Sequence, residues 1–317
     1  MGSEPETKEP RDTASMLFAL MIAGIVVAAG AVAYVFYANS QRIKGGVPYA
    51  IAAGDVVTLD YIGRFSDGRV FDTSIWYVAQ DDASYPKSLT FELKGNQSYQ
   101  PFTMTAGDYG SSGGTIKGFA LGVLGLHVGD YKIVEVPPED GYQVQSSMIS
   151  TVSLTDYVPI REYYSVQDFK SGFGSDPVPM ATMSHYFWNW DVMVAEVSGE
   201  VVTVLNQPAV GGSVYPFGNP TDANEPAGWE VKVVMYDPLF EGGIGRITIQ
   251  HMVSEEDVYN VKGTNGVGAT FVISNFDATN GTFQIHIVDS DRGYNGEISG
   301  RALFFEITIL KVAPVQS

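Results

Sequence analysis

Beyond residue 54, apolar positions alternate with polar ones over short runs. The clearest are 55–61 (DVVTLDY), 131–136 (YKIVEV), 200–205 (EVVTVL), 229–235 (WEVKVVM), 245–250 (GRITIQ), 282–288 (TFQIHIV) and 303–310 (LFFEITIL). Val, Ile, Thr, Tyr and Phe fill these runs, and Gly, Asn and Asp separate them. That is the pattern of antiparallel strands with one buried face. Helical periodicity is scarce. It predicts two short helices, over 117–126 (KGFALGVLGL) and 254–261 (SEEDVYNV), the second opened by Ser254 with acidic residues in its first turn. The predicted class is α+β, mostly antiparallel β, with no internal repeat of fixed period.

The N-terminus breaks this pattern. Residues 1–15 are polar, charged and contain Pro, and read as a disordered tail. From Met16 to Ala38 no residue is charged. As a helix this stretch would be about 34 Å long, enough to cross a hydrocarbon core of ~30 Å. It exceeds the apolar region of a cleaved signal, ~7–15 residues, so an uncleaved single-pass membrane anchor is expected. Lys8 and Arg11 before it balance Arg42 and Lys44 after it, so flanking charge does not set the orientation. A short tail, one span and a large acidic remainder point to an exported, tethered domain on the extracytoplasmic side. Residues 39–53, with Gly45-Gly46 and Pro48, read as a linker.

Charge and composition then narrow the function. The chain has 317 residues, a formal net charge of −18 and no cysteine. A strongly acidic chain lacks the basic face that nucleic acid requires. Without cysteine there is no disulfide, thiolate nucleophile or cysteine-held metal. The four histidines, His127, His185, His251 and His286, lie far apart and form no ligand motif, so no metal or cofactor is expected. The first 44 residues are electrically balanced, so the whole negative excess lies beyond Lys44. It fits either solubility or a salty medium.

Three ordered blocks carry a resemblance. Residues 54–74 read GDVVTLDYIGRFSDGRVFDTS; residues 115–142 read TIKGFALGVLGLHVGDYKIVEVPPEDGY; residues 300–310 read GRALFFEITIL. Together they resemble the FKBP-type peptidyl-prolyl cis-trans isomerases. The family fold would be a half-barrel of antiparallel strands around a short helix, formed by 54–142 plus 293–312. Residues 143–292 stand where a simple member has a short flap. The run 295–300 (NGEISG) resembles the entry to the last strand in SlyD-like and long archaeal members, with their His lost. The resemblance implies a large β-rich insert in the flap, with one β unit near 143–215 and another near 228–292.

An X–Pro bond has only a small trans preference but a rotation barrier of ~18–20 kcal/mol. An apolar, water-poor pocket favours the twisted, less dipolar amide over the planar one. A ~10⁴-fold acceleration needs only ~5.5 kcal/mol of such differential stabilisation. The resemblance assigns catalytic parts to Tyr61, Asp72 and Tyr142, the last offering its hydroxyl to the substrate carbonyl. It assigns walls to Phe71, Phe102 and Phe305, the floor to Phe119, and main-chain contacts with the peptide to Thr115 and Ile116. Phe119 replaces a common Trp and Thr115 a common Val. Those departures leave open a binding-only holdase with a decayed pocket; a surface β scaffold is a third reading. The expected partners are unfolded or proline-containing polypeptides, reached also by insert aromatics that look exposed: Tyr163, Tyr164, Phe187, Trp188 and Trp190.

Overall fold

The computed structural model describes residues 48–112, 114–218, 221, 226–265, 268–289 and 291–315. The tail and the span expected at 16–38 lie outside them. No helix among the described residues is long and apolar enough to cross a membrane. The described chain forms two compact units. The first holds residues 48–87, 92–141 and 302–315; the second holds 88–91 and 142–301.

The first unit is built on β1 (Val56–Arg64), β2 (Val70–Thr73), helix α1 (Trp76–Gln80), β3 (Phe102–Thr105), helix α2 (Lys117–Gly122), β4 (Tyr131–Val136) and the C-terminal strand Leu303–Ala313. All strand pairs are antiparallel. The C-terminal strand lies between β1 and β4. The other edge of β1 is shared: β3 pairs with Val56–Leu59 and β2 with Ile62–Arg64. Alternation buries Val57 and Leu59 of β1 and Leu303, Phe305, Ile307 and Ile309 of the C-terminal strand.

Helix α2 lies against this apolar face. A Cβ at Gly118 would sit 2.6 Å from Val136 Cγ1, and one at Gly122 would strike Val134. The two glycines, one turn apart, let the helix rest directly on β4. The helix is shorter than the 117–126 pattern suggests. It ends at Gly122, and Gly125 takes a left-handed φ of 78° and donates its N–H to Ile51 C=O at 2.9 Å. Ile51 is buried, so the chain is already docked inside the stretch expected as linker. Asp55 fastens the same corner, accepting Ala52 N–H at 2.8 Å and Val315 N–H at 3.1 Å.

The second unit begins with β5 (Ile149–Ser153), β6 (Thr155–Pro159), β7 (Arg161–Ser165), helix α3 (Val166–Phe173), β8 (Thr182–Ser184), β9 (Asp191–Ser198) and β10 (Val201–Asn206). It continues with β11 (Ser213–Val214), β12 (Val231–Asp237), β13 (Arg246–His251), β14 (Lys262–Thr264), β15 (Thr270–Asp277), β16 (Thr282–Asp289) and β17 (Tyr294–Asn295). Three sheets result, with strand orders β7-β10-β9-β8, β11-β12-β13-β6 and β14-β15-β16-β17, and β5 pairs with β16. One hydrophobic cluster runs through all three, including Val192, Val204, Val231, Ile249, Phe271 and Phe283.

Two local expectations fail in this unit. The helix expected at 254–261 is a single 3₁₀ turn, Glu255–Asp257. Its Ser254–Asp257 capping box is present, but Tyr259 adopts a φ of 55° and turns the chain out of the helix. The insert aromatics face largely inward. Tyr163 is 68% exposed, whereas Trp190 is 5% exposed, and Tyr164, Phe187 and Trp188 are half-buried. The β alternation puts Tyr163 on the outer face of β7 and leaves the other rings stacked on one another.

Residues 88–91 are tied into the second unit by one carboxylate. Glu297 is fully buried and accepts Leu89 N–H at 3.0 Å, Thr90 N–H at 2.8 Å and the Thr90 hydroxyl at 2.8 Å. Asn295 Nδ2 donates to the same Thr90 hydroxyl oxygen at 2.8 Å. Glu297→Ala should lower the stability of this unit by about 2–3 kcal/mol, because it strands donors that the Glu297 side chain now satisfies. Urea unfolding followed by tryptophan fluorescence tests this, since Trp188, Trp190 and Trp229 all lie in the unit. An unchanged midpoint would show that the clamp adds nothing.

Candidate active site

In β1, Tyr61 and Gly63 point to the same face. Gly63 pairs with Phe305 across one edge and with Asp72 across the other. Asp72 is therefore the diagonal neighbour of Tyr61, and the Tyr61 hydroxyl donates to Asp72 Oδ2 at 2.6 Å. The second Asp72 oxygen accepts Thr73 N–H at 2.9 Å. An ionised carboxylate is acceptor-only, so the phenol proton is directed to it.

The ladder then skips a residue. Gly63 pairs with Asp72 and Arg64 with Val70, so Phe71 is a bulge without a partner strand residue. A bulge re-aims its side chain. The Phe71 ring lies over Gly63, where a Cβ would approach to 2.6 Å, and meets Phe305 edge-on with centroids 5.5 Å apart. Phe65 backs it at 5.1 Å.

Helix α2 supplies the floor. Phe119 is buried and touches Phe305 at 4.7 Å, Tyr61 at 6.0 Å and Phe102 at 6.2 Å between centroids. Tyr61 also meets Phe102 at 6.0 Å and Phe305 at 6.2 Å. Five rings from four distant stretches thus form one contiguous set, mostly in edge-to-face or tilted contact. Phe102 stands at its rim, 37% exposed.

Thr115 and Ile116 precede the helix and are half-buried. Thr115 N–H donates to Asp108 C=O at 3.3 Å, and Ile116 C=O accepts Ala120 N–H at 2.9 Å. Ile116 N–H has no main-chain acceptor among the described residues. Tyr142 is exposed and belongs to the second unit, where its C=O accepts Gly300 N–H at 2.9 Å. The structure therefore brings together Tyr61, Phe71, Asp72, Phe102, Phe119 and Phe305, and leaves Tyr142 in the other unit.

Sequence reasoning missed Gly63 and Phe65. The signal for Gly63 was a glycine two residues after an inward tyrosine in a strand, where close ring approach is the usual reason. Among the described residues no group of three acidic or histidine side chains could hold a metal ion. On the ring-lined face of this unit one phenol–carboxylate pair is set among aromatic rings.

Residues 48–153 match the family model of the FKBP-type peptidyl-prolyl cis-trans isomerases. The chain is 35% identical over 99 residues to the short-type peptidyl-prolyl cis-trans isomerase of Methanocaldococcus jannaschii, covering 31% of this chain and 55% of that protein. It is 29% identical over 99 residues to FK506-binding protein 4 of Chaetomium thermophilum, covering 31% of this chain and 15% of that one. With FK506-binding protein 3 of Debaryomyces hansenii it shares 32% over 103 residues, or 32% of this chain and 18% of the other. The chain thus spans about half, or far less, of the length of these relatives. It carries an FKBP-type peptidyl-prolyl isomerase domain.

Proposed function

We propose that this chain catalyses cis–trans isomerisation of X–Pro bonds in polypeptides, with the ring-lined face of the first unit as the active site. The observation that carries this reading is the convergence of Tyr61, Phe71, Phe102, Phe119 and Phe305 around a 2.6 Å phenol–carboxylate bond. A prolyl peptide laid on these rings loses water from its amide. Planar amide resonance separates charge and needs polar solvation; the twisted amide needs less. Exchange of water for aromatic carbon therefore favours the twisted form, which is differential binding of the transition state. Asp72 and Tyr61 give the face its polar reference, and Ile116 N–H is a main-chain donor for the peptide.

The finer parts of the reading extend outward from this site. Residues 16–38 tether the chain to a membrane as a single span, with the folded units on the extracytoplasmic side. Residues 143–292 form an insert in the flap that holds unfolded clients near the site by raising their effective concentration. Tyr163, Met180 and Leu239 are exposed apolar side chains suited to that contact.

Asp72→Ala should reduce kcat/KM for a proline-limited refolding substrate by about tenfold, with little change in unfolding midpoint. Unchanged turnover would remove its polar role. If the unmodified chain accelerates no proline-limited refolding yet still suppresses aggregation, the enzyme reading fails and a holdase takes its place.

A further inference from the structure

The β1–β2 ladder runs out at the pair Ile62–Thr73. Tyr61 comes one residue before Ile62 on β1, and the last main-chain bond on that edge runs from Ser74 N–H to Tyr61 C=O. Side chains add to it. Ser74 Oγ accepts Tyr61 N–H at 3.0 Å. Tyr61 C=O accepts the Thr73 hydroxyl at 2.8 Å and Ser74 N–H at 3.1 Å.

Hydroxyl geometry alone does not decide this arrangement, because a serine can donate or accept. Asp60 decides it. Its carboxylate can only accept, and it takes the Ser74 hydroxyl proton at 2.8 Å. The Ser74 lone pairs must then face Tyr61 N–H. Thr73 is settled in the same way: its proton goes to Tyr61 C=O, and its oxygen accepts Ile75 N–H at 3.1 Å. Both hydroxyl residues are buried, so water does not compete freely for these bonds.

We propose that Ser74, oriented by Asp60, is a positioning residue for Tyr61 in the active site. This rests on the prolyl-isomerase reading given above. The run Asp72-Thr73-Ser74 grips one tyrosine at its phenol, its carbonyl and its amide. Tyr61 touches three of the other rings, so a rotation of its backbone would open the cup at Phe102, Phe119 and Phe305 together. Ser74 contributes no atom to the ring-lined face; it acts through the direction of β1.

The full chain tests this with two readouts. One is kcat/KM on a prolyl peptide. The other is the downfield proton resonance of the Tyr61 hydroxyl, identified by its loss in Tyr61→Phe and sensitive to the short bond with Asp72. Ser74→Ala should lower kcat/KM about tenfold and abolish the resonance, since sub-ångström misplacement is enough for such losses. Ser74→Thr, which keeps the oxygen, should restore both. Asp60→Ala should give an intermediate loss of about threefold through the freed hydroxyl. It sits at a half-buried position and serves if Ser74→Ala does not fold. Retention of resonance and rate in Ser74→Ala or Asp60→Ala, equal loss in Ser74→Thr, or no Tyr61 hydroxyl resonance in the unmodified chain would overturn the proposal. If the unmodified chain has no isomerase activity, the functional reading falls, while the resonance still reports whether Ser74 sets Tyr61.

Discussion

Gly63→Val is expected to lose more than tenfold in isomerase turnover and about 1–3 kcal/mol of stability. The reason is space. A Cβ at Gly63 would lie 2.6 Å from Phe71 Cζ, 2.8 Å from Phe71 Cε2 and 3.2 Å from Phe305 Cε1. Cβ contacts under 3.0 Å do not persist, so the Phe71 ring must move, and Phe305 must give slightly. The backbone cannot retreat, because Gly63 is paired on both edges of β1. Gly63→Ala meets the same atoms with a smaller side chain and should be milder. A peptide isomerisation assay alongside a urea titration measures the two effects. Full activity in Gly63→Val would mean that the Phe71–Phe305 contact is not part of the site.

Acid should destabilise the second unit selectively, by on the order of 3 kcal/mol between neutral pH and pH 4. His251 is 3% exposed, among Trp229, Phe217 and Phe283. Its Nδ1 accepts the Trp229 indole N–H at 3.0 Å, so that nitrogen carries no proton. Burial pushes its pKa down to about 4, against a weaker upward pull from Asp156. Burial also lowers the pKa of His286. In the unfolded chain both histidines titrate at their ordinary value near 6.5. Below that pH the unfolded state binds more protons than the folded one, so stability falls as pH drops from about 6.5 and levels off below about 4.

Glu162 acts in the same direction in this unit, but in a lower pH window. Burial alone would raise its pKa, but hydrogen bonds from His185, Tyr164 and Asn206 outweigh burial and hold it below the usual range. Its contribution is lost only at lower pH. His251→Gln, which cannot be protonated, should flatten the decline between pH 6.5 and 4 in fluorescence-monitored unfolding. An unchanged slope would exclude His251 as its source.

The strand runs were legible because alternation is a local property. All seven appear in the structure within three residues at each end. Helix α3 was also legible in principle and was overlooked. Ser165 caps it by accepting Asp168 N–H at 3.0 Å, and Gly174 closes it with a left-handed φ of 68°. The Ser-x-x-Asp start and the glycine stop were both on the page. The second predicted helix failed for the converse reason: its cap was real, but nothing local required the chain to continue past Val258. Inward and outward aromatics of the second unit could not be told apart, since Tyr163 and Tyr164 are neighbours and only strand register separates their faces.

From the sequence by itself came the β class, the short helix that starts at Lys117, and the identity of the rings, each through short-range spacing or block order. The tertiary structure alone decided three things. It made Phe71 a bulge and so placed its ring over Gly63. It put Ser74 under the main chain of Tyr61. It assigned Leu89 and Thr90 to the second unit through Glu297, a residue more than 200 positions away. Bulges, register and long-range carboxylate bonds depend on which strand lies alongside which. That choice minimises the free energy of the whole chain, so no window of neighbouring residues contains it.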